Sequence, residues 1–103
     1  MDIKKTEALI IERLKEVYDP EIPANIYEIG LIYEINIGDN GKVHILMTLT
    51  SPNCPVAESL PLEVKYKVET VEEVTVAEVE LTFDPPWDES MLTDEAKLEL
   101  GML

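Results

Sequence analysis

The sequence has one cysteine, one histidine, one tryptophan and one phenylalanine, and only eight basic residues against 22 acidic ones. Each shortage excludes something. A single thiol cannot form an internal disulfide, so oxidising export is not required for stability and the expected address is the cytoplasm. One cysteine and one histidine leave a mononuclear zinc site within one chain short of soft ligands. A net charge of −14 repels phosphate backbones and argues against nucleic acid as a partner. No apolar run approaches the roughly 20 residues that span a bilayer, so no membrane role is expected. Met1-Asp2-Ile3-Lys4-Lys5 leads into an amphipathic pattern rather than a signal peptide. There is no GxGxxG, P-loop or CxxC, and no repeat or linker.

What remains is a chain that is 46% hydrophobic over 103 residues, enough for one domain spanning 1–103 with a modest core. Residues 2–18 place Ile3, Ile10, Leu14 and Val17 at helical spacing, with Asp2 as N-cap and Asp19-Pro20 as the stop. Residues 19–30 read as an irregular loop in which Asn25 caps one turn and Gly30 closes it. A strand follows with Leu31, Tyr33, Ile35 and Ile37 on one face and Glu34 and Asn36 on the other. Gly38-Asp39-Asn40-Gly41 then signals a hairpin. The return strand, residues 42–50, points Val43, Ile45, Met47 and Leu49 inward, and places His44, Leu46, Thr48 and Thr50 on the other face.

Ala57, Leu60, Val64, Val68 and Val71 form a second helical stripe, with Pro61 delaying or kinking its regular part. A third strand runs from Glu72 to Phe83. Its phase is mixed, and a bulge near Val76 would reconcile the two parities. Thr93 caps a short last helix that ends before Gly101. The strand after the central helix joins the same sheet, because each sheet face needs a helical cover. The expected fold is a small two-layer α+β sandwich with a mixed sheet of three strands, or four, in the order α-β-β-α-β-α.

Cys54 falls where the second strand ends and the second helix begins, with Pro55 suited to the first helical position. A thiol at an N-cap faces unpaired N–H groups and the positive end of the helix dipole, which favour the nucleophilic, metal-binding thiolate. The plain alternative is a small buried hydrophobe. A Cys–His nucleophilic pair is poorly supported, because His44 lies in mid-strand, several strand rises away. A thiol enzyme therefore trails, and no catalytic residue is assigned. One cysteine can, however, share a metal between chains: two copies, each offering one thiolate, could hold a labile iron–sulfur cluster loosely. The polar groups that would line such a site are Thr48, Thr50, Asn53 and Glu58, with Asp19, Glu21 and Glu28 in a loop that can fold against it. Each also has an ordinary role, as strand former, first-turn carboxylate or turn residue.

Three blocks then carry a resemblance: residues 19–33 (Asp-Pro-Glu-Ile-Pro-Ala-Asn-Ile-Tyr-Glu-Ile-Gly-Leu-Ile-Tyr), 48–55 (Thr-Leu-Thr-Ser-Pro-Asn-Cys-Pro) and 81–87 (Leu-Thr-Phe-Asp-Pro-Pro-Trp). In this order, and with Met91, Lys97, Leu100 and Gly101 at the close, the chain resembles the SufT/PaaD-like family of iron–sulfur cluster assembly proteins, the MIP-type domain. The resemblance implies a fold of the iron–sulfur carrier superfamily and a role in maturing cluster-containing proteins. It implies that Cys54 is the reactive or cluster-associated residue, and that Asp19, Glu21 and Thr50 line the same pocket. The implied partners are iron–sulfur assembly proteins and client apo-proteins, with a homodimer as a further option. PaaD-like relatives carry a cysteine-rich tail and others a fused P-loop ATPase. Neither is present here, so the expected likeness is to the stand-alone SufT type. A second reading keeps the role but removes the metal: an adaptor that recruits assembly machinery through its acidic surface, with Cys54 stabilising the helix start. In either reading Trp87 is expected to be a core anchor.

Overall fold

The computed structural model of the chain describes residues 2–19, 24–49, 59–99 and 101, with only the backbone at Glu89 and Glu99. Its elements are α1 (Ile3–Leu14), β1 (Ile32–Ile37), β2 (Lys42–Met47), α2 (Ser59–Val68), β3 (Val76–Leu81), a 3₁₀ turn (Glu89–Met91) and α3 (Asp94–Glu99). The Asp2 carboxylate accepts from the Lys5 N–H at 3.2 Å, the expected N-cap. α1 nevertheless ends before the expected Tyr18. Glu16 and Val17 donate to Arg13 and Leu14, tightening the last turn, and Tyr18 then bridges Asn25 in extended form.

The three described strands form one mixed sheet in the order β1-β2-β3, the first pair antiparallel and the second parallel. The hairpin between β1 and β2 turns through Gly41, whose φ of +82° is left-handed. A parallel partner cannot be reached by a tight turn, so α2 serves as the crossover from β2 to β3. Three apolar rows cross the inner face: Ile37, Val43 and Ala77; Ile35, Ile45 and Val79; Ile32, Met47 and Leu81. Against them pack Ile10 and Leu14 of α1 and Leu60, Val64 and Val68 of α2, all buried. Pro61 is third in the α2 range, so its missing N–H interrupts no hydrogen bond within that range.

Three expectations are corrected here. The other sheet face has no cover from α1 or α2, because its rows Asn36, His44, Glu78 and Glu34, Leu46, Glu80 are largely polar and remain in solvent. β3 starts at Val76 rather than Glu72, and its register against β2 is uninterrupted. Val74 is buried, but in a turn that bonds its N–H to Val71, which is why its parity disagreed with that of the strand. The bulge lies instead in β1: Ile32 faces Met47 and Glu34 faces Leu46, leaving Tyr33 as the extra residue. Ile32 therefore takes the inner position expected for Tyr33. At the C-terminal end, the Thr93 hydroxyl accepts from the Ala96 N–H at 3.1 Å, capping α3 as anticipated. Among the described residues, no helix is long and apolar enough to cross a membrane.

Candidate functional site

Because β2 and β3 are parallel, their carboxyl ends lie side by side, Met47 opposite Leu81. In open sheets this end, followed by a helix start, is where ligands usually meet the chain. The Thr82 N–H continues the pairing to the Met47 carbonyl at 2.9 Å, and the Thr48 N–H donates to Leu31 at 2.8 Å. Thr48 is fully buried, and among the described residues its hydroxyl has no hydrogen-bond partner.

A lace of backbone bonds leads from Thr48 back to the acidic loop. Leu31 donates to Ile26, Ile26 to Val17 at 2.9 Å, and Asp19 to Ala24 at 3.3 Å. Asp19 is only 4% exposed. The turn between these rungs is set locally: the Asn25 Oδ1 accepts from the Glu28 N–H at 2.9 Å, and Gly30 closes the turn with φ +84°. Gly30 also permits a close approach, since a Cβ there would meet the Met91 carbonyl oxygen at 2.6 Å. Glu28 is buried, and its carbonyl accepts from Thr93 at 3.0 Å.

The bulge directs Tyr33 toward the same end. Its hydroxyl donates to the Pro85 carbonyl at 2.8 Å and lies 3.6 Å from the Met91 sulfur. Burial raises the phenol above its ordinary pKa. The Thr48 hydroxyl, near enough to act but without hydrogen-bond geometry, draws it part of the way back, while the Asp88 charge raises it. Asp88 is itself held below the usual carboxylate range by the Ser90 hydroxyl and then by the Ser90 N–H. Trp87, packed on the core as expected, donates its Nε1–H to the Ile29 carbonyl at 2.6 Å.

Of the residues chosen from sequence, Asp19 and Thr48 are therefore both buried and tied to one backbone lace. Glu21, Thr50, Asn53, Cys54 and Glu58 lie outside the described residues, as does the proposed N-cap role of the thiol. His44 points from the open sheet face, its Nε2 at 3.2 Å from Glu80 Oε1, in keeping with a polar-face histidine. Among the described residues, no three of His, Cys, Asp and Glu gather to hold a metal ion. Tyr33 was missed as a neighbour of the site. Its only signal in the sequence was the unbroken apolar run Leu31-Ile32-Tyr33, where alternation gives no phase.

With this geometry in place, similarity to known proteins is informative. The family described as "Iron-sulfur cluster assembly protein" matches residues 7–81. A Porphyromonas gingivalis protein named "Fe-S protein maturation auxiliary factor" is 48% identical over 99 residues, covering 96% of this chain and 94% of its own. The Staphylococcus aureus auxiliary factor SufT is 36% identical, covering 84% of this chain and 98% of its own. Among solved structures, a DUF59 domain from Bacillus anthracis superposes with TM-score 0.89 at 34% identity, covering 97% of this chain and 95% of that one. A conserved protein from Thermotoga maritima gives 0.79 at 36% identity, with 92% and 93% covered.

Proposed function

Since this chain belongs to the iron–sulfur cluster assembly protein family, we propose that it is an accessory factor in building iron–sulfur clusters or passing them to client proteins. It acts without turning over a substrate of its own, and the cluster is its cargo. The group that handles this cargo is the thiolate of Cys54, the form of cysteine that binds iron. A lone thiolate holds a cluster loosely, and two chains, or one chain and a client, complete the ligation. Such a labile hold suits delivery rather than storage, and a free thiol suits a reducing compartment such as the cytoplasm.

The observation that carries this reading is the fully buried Thr48 hydroxyl, which has no hydrogen-bond partner among the described residues. It stands at the carboxyl end of β2, just before the stretch of chain that bears Cys54. A buried donor left unmatched costs stability. That cost is understandable if the hydroxyl serves a sulfide or thiolate. Asp19, Glu21, Thr50, Asn53 and Glu58 are the further polar groups assigned to the pocket.

Anaerobic reconstitution with ferrous iron and sulfide tests the proposal. The unaltered protein should take up iron and mature an apo-protein, and Cys54→Ala should lose most of both. Equal iron content and equal maturation in the two proteins would remove the cargo role of the thiol.

A further inference from the structure

Two depressions flank β1 and share Ile32, Tyr33 and Glu34. The larger, about 600 Å³, lies on the sheet face turned away from α1 and α2, between Leu46 and the stretch holding Pro85 and Met91. The smaller, about 220 Å³, lies against Ile11 of α1 and Tyr27. β1 pairs only with β2 among the described strands, so its other edge borders this groove. The bulge at Tyr33 breaks the regular spacing that an added strand would need, so recognition here falls to side chains.

The groove combines a partly exposed apolar floor with charge of one sign. Leu46 sits between Glu34 and Glu80 in one cross-strand row. Asp84 lines the larger depression and Glu7 the smaller, and no Lys or Arg among the described residues lines either. The Lys15 ammonium lies 5.7 Å from the centroid of the Tyr27 ring, engaged with that ring's face. The overall charge of the chain does not explain this by itself, because a third depression on the same sheet is lined by Lys42 and His44.

We infer that the groove around β1 docks a basic segment of a partner protein, with apolar side chains on Leu46 and Met91 and Lys or Arg heads against Glu34, Asp84 and Glu7. Charge complementarity selects this occupant. A second copy of the chain would bring the same carboxylates to the same groove. The inference rests on the proposed function only in taking the partner to be an assembly protein or client, and it uses no residue of the thiol segment.

The test is an amide-shift titration by NMR, with three short synthetic peptides alternating Lys with Leu, Lys with Ser, and Glu with Leu. The Lys–Leu peptide should move Ile32, Glu34, Leu46 and Met91 most, and should bind more tightly than either of the others. The solvent-facing change Glu34→Lys should weaken it about tenfold, and Leu46→Ser should weaken it comparably, with circular dichroism confirming the fold of each. Shifts spread evenly over all carboxylates, equal binding of the Lys–Ser peptide, unaltered binding by Glu34→Lys, or no binding would each overturn the inference. So would the same shifts on simply concentrating the protein. Cys54→Ala should bind the peptide as the unaltered protein does, and Glu34→Lys should still take up iron. Failure of the groove and failure of the thiol are thereby read separately.

Discussion

The indole N–H of Trp87 donates to the carbonyl of Ile29 at 2.6 Å, joining the chain after β3 to the turn before β1. This bond fixes the Asp84–Trp87 stretch from which Pro85 receives the Tyr33 hydroxyl. Trp87→Phe keeps most of the packing but leaves the carbonyl unmatched. It should cost about 1–3 kcal/mol, measured by urea denaturation against the unaltered protein. A midpoint and slope unchanged by the substitution would show that the carbonyl finds another partner.

Gly30 is the tightest point of the same region. A methyl group there meets the Met91 carbonyl, and the backbone sits at φ +84°. Gly30→Ala should destabilise by roughly 1–3 kcal/mol, the usual cost of a left-handed residue under steric pressure. Thermal unfolding at matched concentration reads the effect, and an unshifted melting curve would contradict the described approach.

Thr48→Val separates fold from function. The substitution nearly preserves shape while removing a buried hydroxyl that has no hydrogen-bond partner among the described residues. Stability should be unchanged or raised by up to about 1 kcal/mol, while iron uptake or transfer should fall. Loss of stability of the size expected for a broken hydrogen bond would mean that the hydroxyl has a structural partner, and it would withdraw support for its role toward the cargo.

Glu69 gives the fold an acid-side dependence. Its carboxylate accepts from Lys65 Nζ at 2.5 Å and from the Ala77 N–H at 3.0 Å, tying α2 to β3. The Lys65 hydrogen bond, then that from Ala77, holds its pKa below the ordinary glutamate value. A depressed folded-state pKa adds stability above the unfolded value and loses it as pH falls through the folded one. Melting temperatures of the unaltered protein and Glu69→Gln should therefore differ at neutral pH and converge below the ordinary glutamate range. A gap that stayed constant with pH would rule out this linkage.

Features set by neighbours in sequence were readable from sequence. Asp2 capping α1, the Asn25–Gly30 turn and Thr93 capping α3 depend on bonds a few residues long, and the inward residues Val43, Ile45 and Met47 of β2 follow from strand alternation. The bulge could not be read this way, because Tyr33 is held by Pro85 and Met91, far along the chain. The start of β3 is hidden in the sequence because Val74 is buried by a turn, and an apolar residue does not distinguish a buried turn from a strand. For the site, Asp19 and Thr48 could be chosen by their place in a loop and at a strand end. Their shared burial needed the Leu31–Ile26–Val17 lace, which no local pattern announces.

The parallel pairing of β2 and β3 also bears on the order in which the molecule is made. The β1–β2 hairpin closes over a turn of a few residues and needs nothing downstream. β3 can take its place only after α2 has carried the chain back along the sheet. Contacts between distant segments form against a larger entropy of closure and so come later. The stretch bearing Cys54 belongs to that crossover. In sequence Cys54 precedes β3, so on a growing chain it emerges before that strand, and the cargo role proposed for its thiol is expected to await the last pairing of the sheet.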